Sequence, residues 1–186
     1  LVCFTVCLLL RGAAWGQVPL TSMADSLLLF AILCSCIALR IIKTRHAPAL
    51  LPFYIPPLAL IILVNAFTAY HSFAQAPREL PGTLLVLHVG MAFIAYAFFF
   101  VASMTSAAYL CLSFHLKRHR STWLARNLPS LEELDTLLHR LMVCGYPLFV
   151  LALALGLSWA WLGRDLLGPR WWLAPKVALS IFMAFF

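Results

Sequence analysis

The sequence predicts an all-α, polytopic transmembrane helical bundle with about six segments, and three observations predict it. Of 186 residues, 64% are hydrophobic and only 10% are charged. A soluble domain carries roughly 25% charged residues, so this chain cannot cover a water-facing surface. Several apolar runs reach the ~20 residues that a helix needs to cross a bilayer. Those runs are continuous rather than alternating, which argues against a strand barrel.

The segments follow in order. The first, about Leu1–Leu10, lies in "LVCFTVCLLLRG", where the charge comes after the apolar run and further membrane segments follow. That pattern reads as a clipped first helix rather than a signal peptide. The second spans about Met23–Leu39. The third, about Leu50–Ala69, carries Pro52, Pro56 and Pro57 near its start, where proline costs a helix least. The fourth, about Leu84–Phe114, exceeds what a bilayer needs and should tilt or project from it.

The stretch "LPSLEELDTLLHRL" then carries a helix start of its own. Ser130 can cap it while Glu133 reaches back to the cap, and Pro129 discourages continuation from before. Leu131, Leu134, Leu138 and Leu141 recur on one face, which predicts a helix lying on the membrane surface before the chain turns into the fifth segment, about Leu141–Leu162. That segment carries Ala152, Gly156 and Ala160 at four-residue spacing, which lets a neighbouring helix approach closely. The sixth, about Trp171–Phe186, is unfinished. The chain opens without methionine, so it reads as a single integral-membrane domain over 1–186, truncated at both ends.

Charge sets the expected topology. The loops 40–48 and 113–140 hold eight of the thirteen Lys and Arg residues, which places them in the cytoplasm and the loops 11–22, 70–86 and 163–172 outside. The net charge of +7 is then a topology signal and a contact with anionic membrane lipids, not a nucleic-acid footprint. The six cysteines all fall in apolar segments and form no CxxC, so they read as small hydrophobes. No P-loop, HExxH or GxSxG occurs, and the six acids pair into no metal or acid/base motif, which argues against a hydrolase or an ATPase.

One residue stands apart. His88 is the sole residue that can carry charge near neutral pH in "TLLVLHVGMAFIAYAFFFVA", at the expected outer boundary of the fourth segment. An ionisable residue in a membrane span is a functional candidate by default, although a neutral histidine near an interface can simply bond to water or a headgroup. Ala92 and Ala95 follow one turn along, then Tyr96 and Phe99 on roughly the same side. A histidine above small residues and aromatics can hold a flat, apolar ligand such as haem, with imidazole as an axial ligand to the iron. The plain alternative is that aromatics fill any membrane helix. His71 is a second external histidine. Trp171 and Trp172 can belong to an interfacial aromatic belt or floor a shallow site for a planar molecule.

Four stretches in order resemble the cytochrome c assembly family of membrane proteins, the CcsA and HemX-like group. They are "GQVPLTSMADSLLLF", "LHVGMAFIAYAFFFVASMTSAAYL", "LPSLEELDTLLHRLMVCGYPLFVLALALGLSWA" and "RWWLAPKVALSIFMAFF". The resemblance implies a haem-handling protein of the cytoplasmic (inner) membrane that presents b-type haem, as cargo or bound cofactor, on the outer face for attachment to apocytochrome c. It implies an assembly factor working with other cytochrome c assembly proteins, at most part of a haem lyase complex rather than an enzyme by itself. His88 then takes the place of the family's external axial haem ligand, with Trp171 and Trp172 shielding one haem face and Tyr96 beside it. The family's second external histidine would fall beyond Phe186. Ala174 stands where the tryptophan-rich signature has aspartate, Asp25 replaces a glutamate and Gln17 a histidine. These departures move the resemblance toward the HemX-like branch, and with it a reading as a membrane regulator of haem biosynthesis. A non-haem transporter or a purely structural membrane subunit is the reading from a different class. A transporter would more often show broken mid-membrane helices and buried charges, whereas the membrane centres here are nearly charge-free.

Overall fold

A computed structural model describes residues 23–72, 83–118 and 126–162, with isolated positions at Val6, Leu10, Leu179 and Phe182. Among the described residues it contains four long helices and no strand. They are α1 (Met23–Arg45), α2 (Leu51–Ser72), α3 (Thr83–Lys117) and α4 (Leu131–Leu162), with a 3-10 turn at Pro48–Leu50 leading into α2. All four are long and apolar enough to cross a membrane. The expected first and sixth segments lie outside the described residues.

Contacts fix the directions. The Asn65 amide near the end of α2 donates to the Ala24 carbonyl at the start of α1. Tyr54 at the start of α2 shares a buried 2.8 Å hydrogen bond with Thr105 late in α3. Early α3 meets late α4 where His88 touches Ala152. The helices therefore run up-down-up-down, with α3 and α4 sharing the most extensive interface and α1 packed on both α2 and α3.

Several serine and threonine hydroxyls in these apolar helices bond back to a carbonyl of their own helix, which meets the bilayer's demand that polar groups be paired. Ser35 donates to the Ala31 carbonyl at 2.7 Å, Thr105 to Val101 and Ser158 to Ala154 at 2.8 Å each. Close approach comes from small residues. Ala24, Ala31 and Ala38 form a buried stripe along α1, and a side chain at Gly145 of α4 would come within 2.9 Å of the Phe98 Cβ on α3.

Most of the core gathers at the basic end, around Cys34, Ala38, Leu50, Tyr54, Val101, Leu112, Leu134 and Leu137. There α1 ends at Arg45 and the chain reverses through His46, a non-glycine residue with φ of 48°. The Ala47 amide donates back to the Ile42 carbonyl at 3.3 Å, so His46 occupies the left-handed cap position that glycine usually fills. The capping box expected at Ser130 is formed. The Glu133 amide donates to Ser130 Oγ at 3.2 Å, and the Ser130 amide donates to Glu133 Oε2 at 3.0 Å.

Two local expectations change. The leucine-faced stretch after Ser130 is not a separate surface helix, because α4 runs without a break from Leu131 to Leu162. Its leucines find a protein partner instead of a lipid surface: Leu134, Leu137 and Leu141 are buried in the core that seals the basic end. Pro56 and Pro57 lie inside α2 rather than at its edge. Only Pro52 sits in the first turn, where its missing N–H costs nothing.

Length sets the reach of the α3/α4 pair. With 35 and 32 residues at about 1.5 Å each, they extend about 52 and 48 Å, well beyond a hydrocarbon core of about 30 Å. Helices of that length must tilt or project from the membrane, as expected for the fourth segment.

Candidate functional site along the α3/α4 seam

The seam between α3 and α4 has a histidine at one end and an apolar groove along its middle. His88 lies in the second turn of α3 and is half-buried. Its Nδ1 is 2.6 Å from the Ala152 carbonyl oxygen of α4. A carbonyl only accepts, so Nδ1 is the donor, and in the neutral form of the ring Nε2 then carries the lone pair. The ring rests on Gly156, one turn further along α4. A Cβ placed there would lie 2.5 Å from Cε1, 2.8 Å from Nδ1 and 3.2 Å from Nε2.

The spacing noted in the sequence for the fifth segment is thus used. Ala152 and Ala160 are buried, and Gly156 between them is the surface on which the imidazole sits.

Further along the seam, Phe99 and Ser106 follow His88 on one stripe of α3, eleven and then seven residues on. Phe149, Met142 and Leu138 continue the matching stripe of α4. Between them opens a groove of about 810 Å³ whose walls include Tyr96, Phe99, Ser103, Met142, Tyr146 and Phe149. Aromatic contacts shape its outer rim: Phe149 lies 6.1 Å from Tyr96 and 5.8 Å from Phe99 between ring centroids. Tyr96 keeps 45% of its surface exposed, so its ring is presented to the groove and to the membrane rather than locked in the core. The groove begins about 10 Å along α4 from Gly156, seven residues at about 1.5 Å each, and His88 lies outside it.

Of the residues singled out in the sequence, the structure therefore sets His88 and Tyr96 on one seam, with Tyr96 in the groove wall and His88 at the end of the seam away from the basic loops. Trp171 and Trp172 lie outside the described residues. His71 falls in the last turn of α2, and its side chain lies outside them too. Sequence reasoning missed the roles of Ala152 and Gly156 at the imidazole and the α4 side of the groove. The four-residue spacing signalled a close helix contact without saying what would occupy it.

Among the described residues no cluster of three or more His, Cys, Asp or Glu could enclose a bare metal ion. A single imidazole with Nδ1 engaged by a backbone carbonyl suits an axial ligand to a macrocycle, because the partner on one nitrogen orients the other toward metal. The apolar, aromatic groove further along the same seam, whose lining does not include His88, suits the flat face of such a ring. The residues fit haem.

At the basic end, both basic loops meet. Arg45 and His46 from the α1 reversal, with Asn127 and Glu133 from the approach to α4, line a second, smaller pocket of about 200 Å³.

Comparison with known proteins gives the family. Residues 2–186 match the family described as Cytochrome C assembly protein. The chain is 31% identical to Protein HemX of Brevibacillus brevis over 121 residues, covering 65% of this chain and 43% of that protein. It is 27% identical to Protein HemX of Bacillus subtilis (strain 168) over 171 residues, covering 87% of this chain and 58% of that protein. It is 28% identical to Cytochrome c biogenesis protein CcsA of Chlamydomonas reinhardtii over 177 residues, covering 91% of this chain and 48% of that protein. The chain spans about half the length of these curated relatives. No solved structure matches it. The match along the whole chain is decisive: this is a multi-pass membrane protein belonging to the cytochrome c assembly family.

Proposed function

We propose, from that membership, that the chain handles haem in cytochrome c-type biogenesis and presents it at the outer end of the α3/α4 seam for attachment to apocytochrome c. One observation carries the reading: His88 Nδ1 lies 2.6 Å from the Ala152 carbonyl oxygen and donates to it, so that in the neutral ring Nε2 is the nitrogen with a lone pair to offer. A bound haem supplies an iron that accepts an axial imidazole. The protein's own part is to hold that imidazole in one orientation and to give the ring an apolar wall. Tyr96, Phe99 and Phe149 provide the wall on the seam, and Trp171 and Trp172 are assigned by family resemblance to cover a haem face.

In this reading the haem is b-type and passes through as cargo. The protein is an assembly factor in the inner membrane, with its basic end in the cytoplasm, and other cytochrome c assembly proteins are its partners. A second reading draws on the polar pocket at Arg45, His46 and Glu133: regulation of haem biosynthesis through the basic end, without haem ligation on the seam.

The test is the absorption spectrum of the purified full-length protein beside His88→Ala, each reconstituted with haem. The proposal expects a Soret band that is lost or strongly weakened in the variant. A wild-type protein still colourless after reconstitution sinks it in favour of the second reading.

A further inference from the structure

We infer that Gly156 is a positioning residue for His88, and that it fixes which nitrogen of the imidazole faces the ligand. The inference rests on the haem-handling reading and deepens it at the same site. Three ring atoms of His88 lie within 3.2 Å of where a Cβ at position 156 would stand, and the nearest, Cε1, would be at 2.5 Å. Real side chains do not tolerate such a distance, so even alanine at 156 displaces the imidazole. The displaced ring loses reach to the Ala152 carbonyl, because Nδ1 bonds to it across the same turn of α4, at 2.6 Å.

Cε1 sits between the two nitrogens of the ring. With that edge seated on Gly156 and Nδ1 donating to Ala152, Nε2 is the nitrogen left to accept. Orientation by a carbonyl partner on one nitrogen is what makes the other a defined metal ligand.

The other described glycines sharpen the point. Gly145 makes room for Phe98 and Phe99, which is packing between helices, and Gly90 has nothing within 4 Å of a would-be Cβ. Glycine is a poor choice inside a helix, and at 156 the neighbour that requires it is an imidazole. Ala152 and Ala160 flank it in the same row with methyl groups in place.

The experiment begins with the haem-free, full-length protein carrying ¹⁵N-labelled histidine, with the His88 resonance assigned by comparison with His88→Ala. The ring nitrogen shifts report the tautomer directly. The wild-type protein is expected to show protonated Nδ1 and unprotonated Nε2, and Gly156→Ala a mixture or the reverse tautomer, with Gly90→Ala unchanged. In the haem-loaded proteins, Gly156→Ala is expected to shift the ligand-field spectrum and to weaken haem retention about 10- to 100-fold, the range for loss of a group that orients a ligand.

A wild-type His88 protonated on Nε2 overturns the inference, and this result needs no variant to fold. So does a Gly156→Ala protein with the wild-type tautomer and spectrum. Failure of the haem reading is a separate outcome: His88→Ala then keeps the wild-type haem spectrum, while the tautomer in haem-free protein still decides the role of Gly156.

Discussion

The two ends of the α3/α4 pair are built by different means. At the basic end the seam is closed by large apolar side chains, with Leu134 fully buried among Leu50, Tyr54, Leu112 and Leu137. Both chain reversals there are capped, one by the Ser130–Glu133 box and one by the left-handed turn at His46. At the opposite end the contacts are made by small residues and one imidazole: His88 rests on Gly156 beside Ala152. The open groove lies between the two. Large buried side chains are therefore concentrated at the basic end, while the end that carries the imidazole is held by small residues.

That contrast predicts that variants sort by end. The largest effect on stability is expected from Leu134→Ala, which empties a fully buried site and should cost about 2–5 kcal/mol. Thermal unfolding in detergent reads this as a clear fall in Tm, with the haem spectrum of the surviving folded protein unchanged. Ser130→Ala removes one half of the capping box and should cost about 1 kcal/mol, again without spectral change. His46→Gly has the opposite sign. It relieves a non-glycine residue of its left-handed backbone, and a gain of up to about 1 kcal/mol is expected, offset in part by the freedom glycine adds to the unfolded chain. A fall in Tm for His46→Gly would mean that the side chain, lining the small pocket at that end, contributes more than its backbone costs.

How much of this could be read beforehand follows from the distance over which each feature is encoded. The capping box needs only Ser130 and Glu133, three residues apart, and was legible. So was the length of the fourth segment, in which His88 stands out as a candidate because it is the lone imidazole of its apolar run. The continuity of α4 through Leu141 was not legible, since a leucine stripe looks the same whether lipid or protein covers it, and what buries it is a core shared with residues such as Leu50 and Leu112 from elsewhere in the chain. The left-handed cap at His46 carries no signal because the residue is not glycine. The seat of the imidazole joins His88 to positions 64 residues on at Ala152 and further at Gly156. The four-residue spacing on α4 marked a close contact, but its partner is fixed only by the antiparallel register of α3 and α4.

The most direct test of the division between the two ends is a crossed comparison of His88→Ala and Leu134→Ala, measuring haem absorbance and Tm on the same full-length preparations. The account predicts that His88→Ala loses the Soret band with little change in Tm, while Leu134→Ala loses Tm and keeps the band. A His88→Ala protein that unfolds as early as Leu134→Ala yet binds haem normally would contradict it, and would make the imidazole on Gly156 a packing contact.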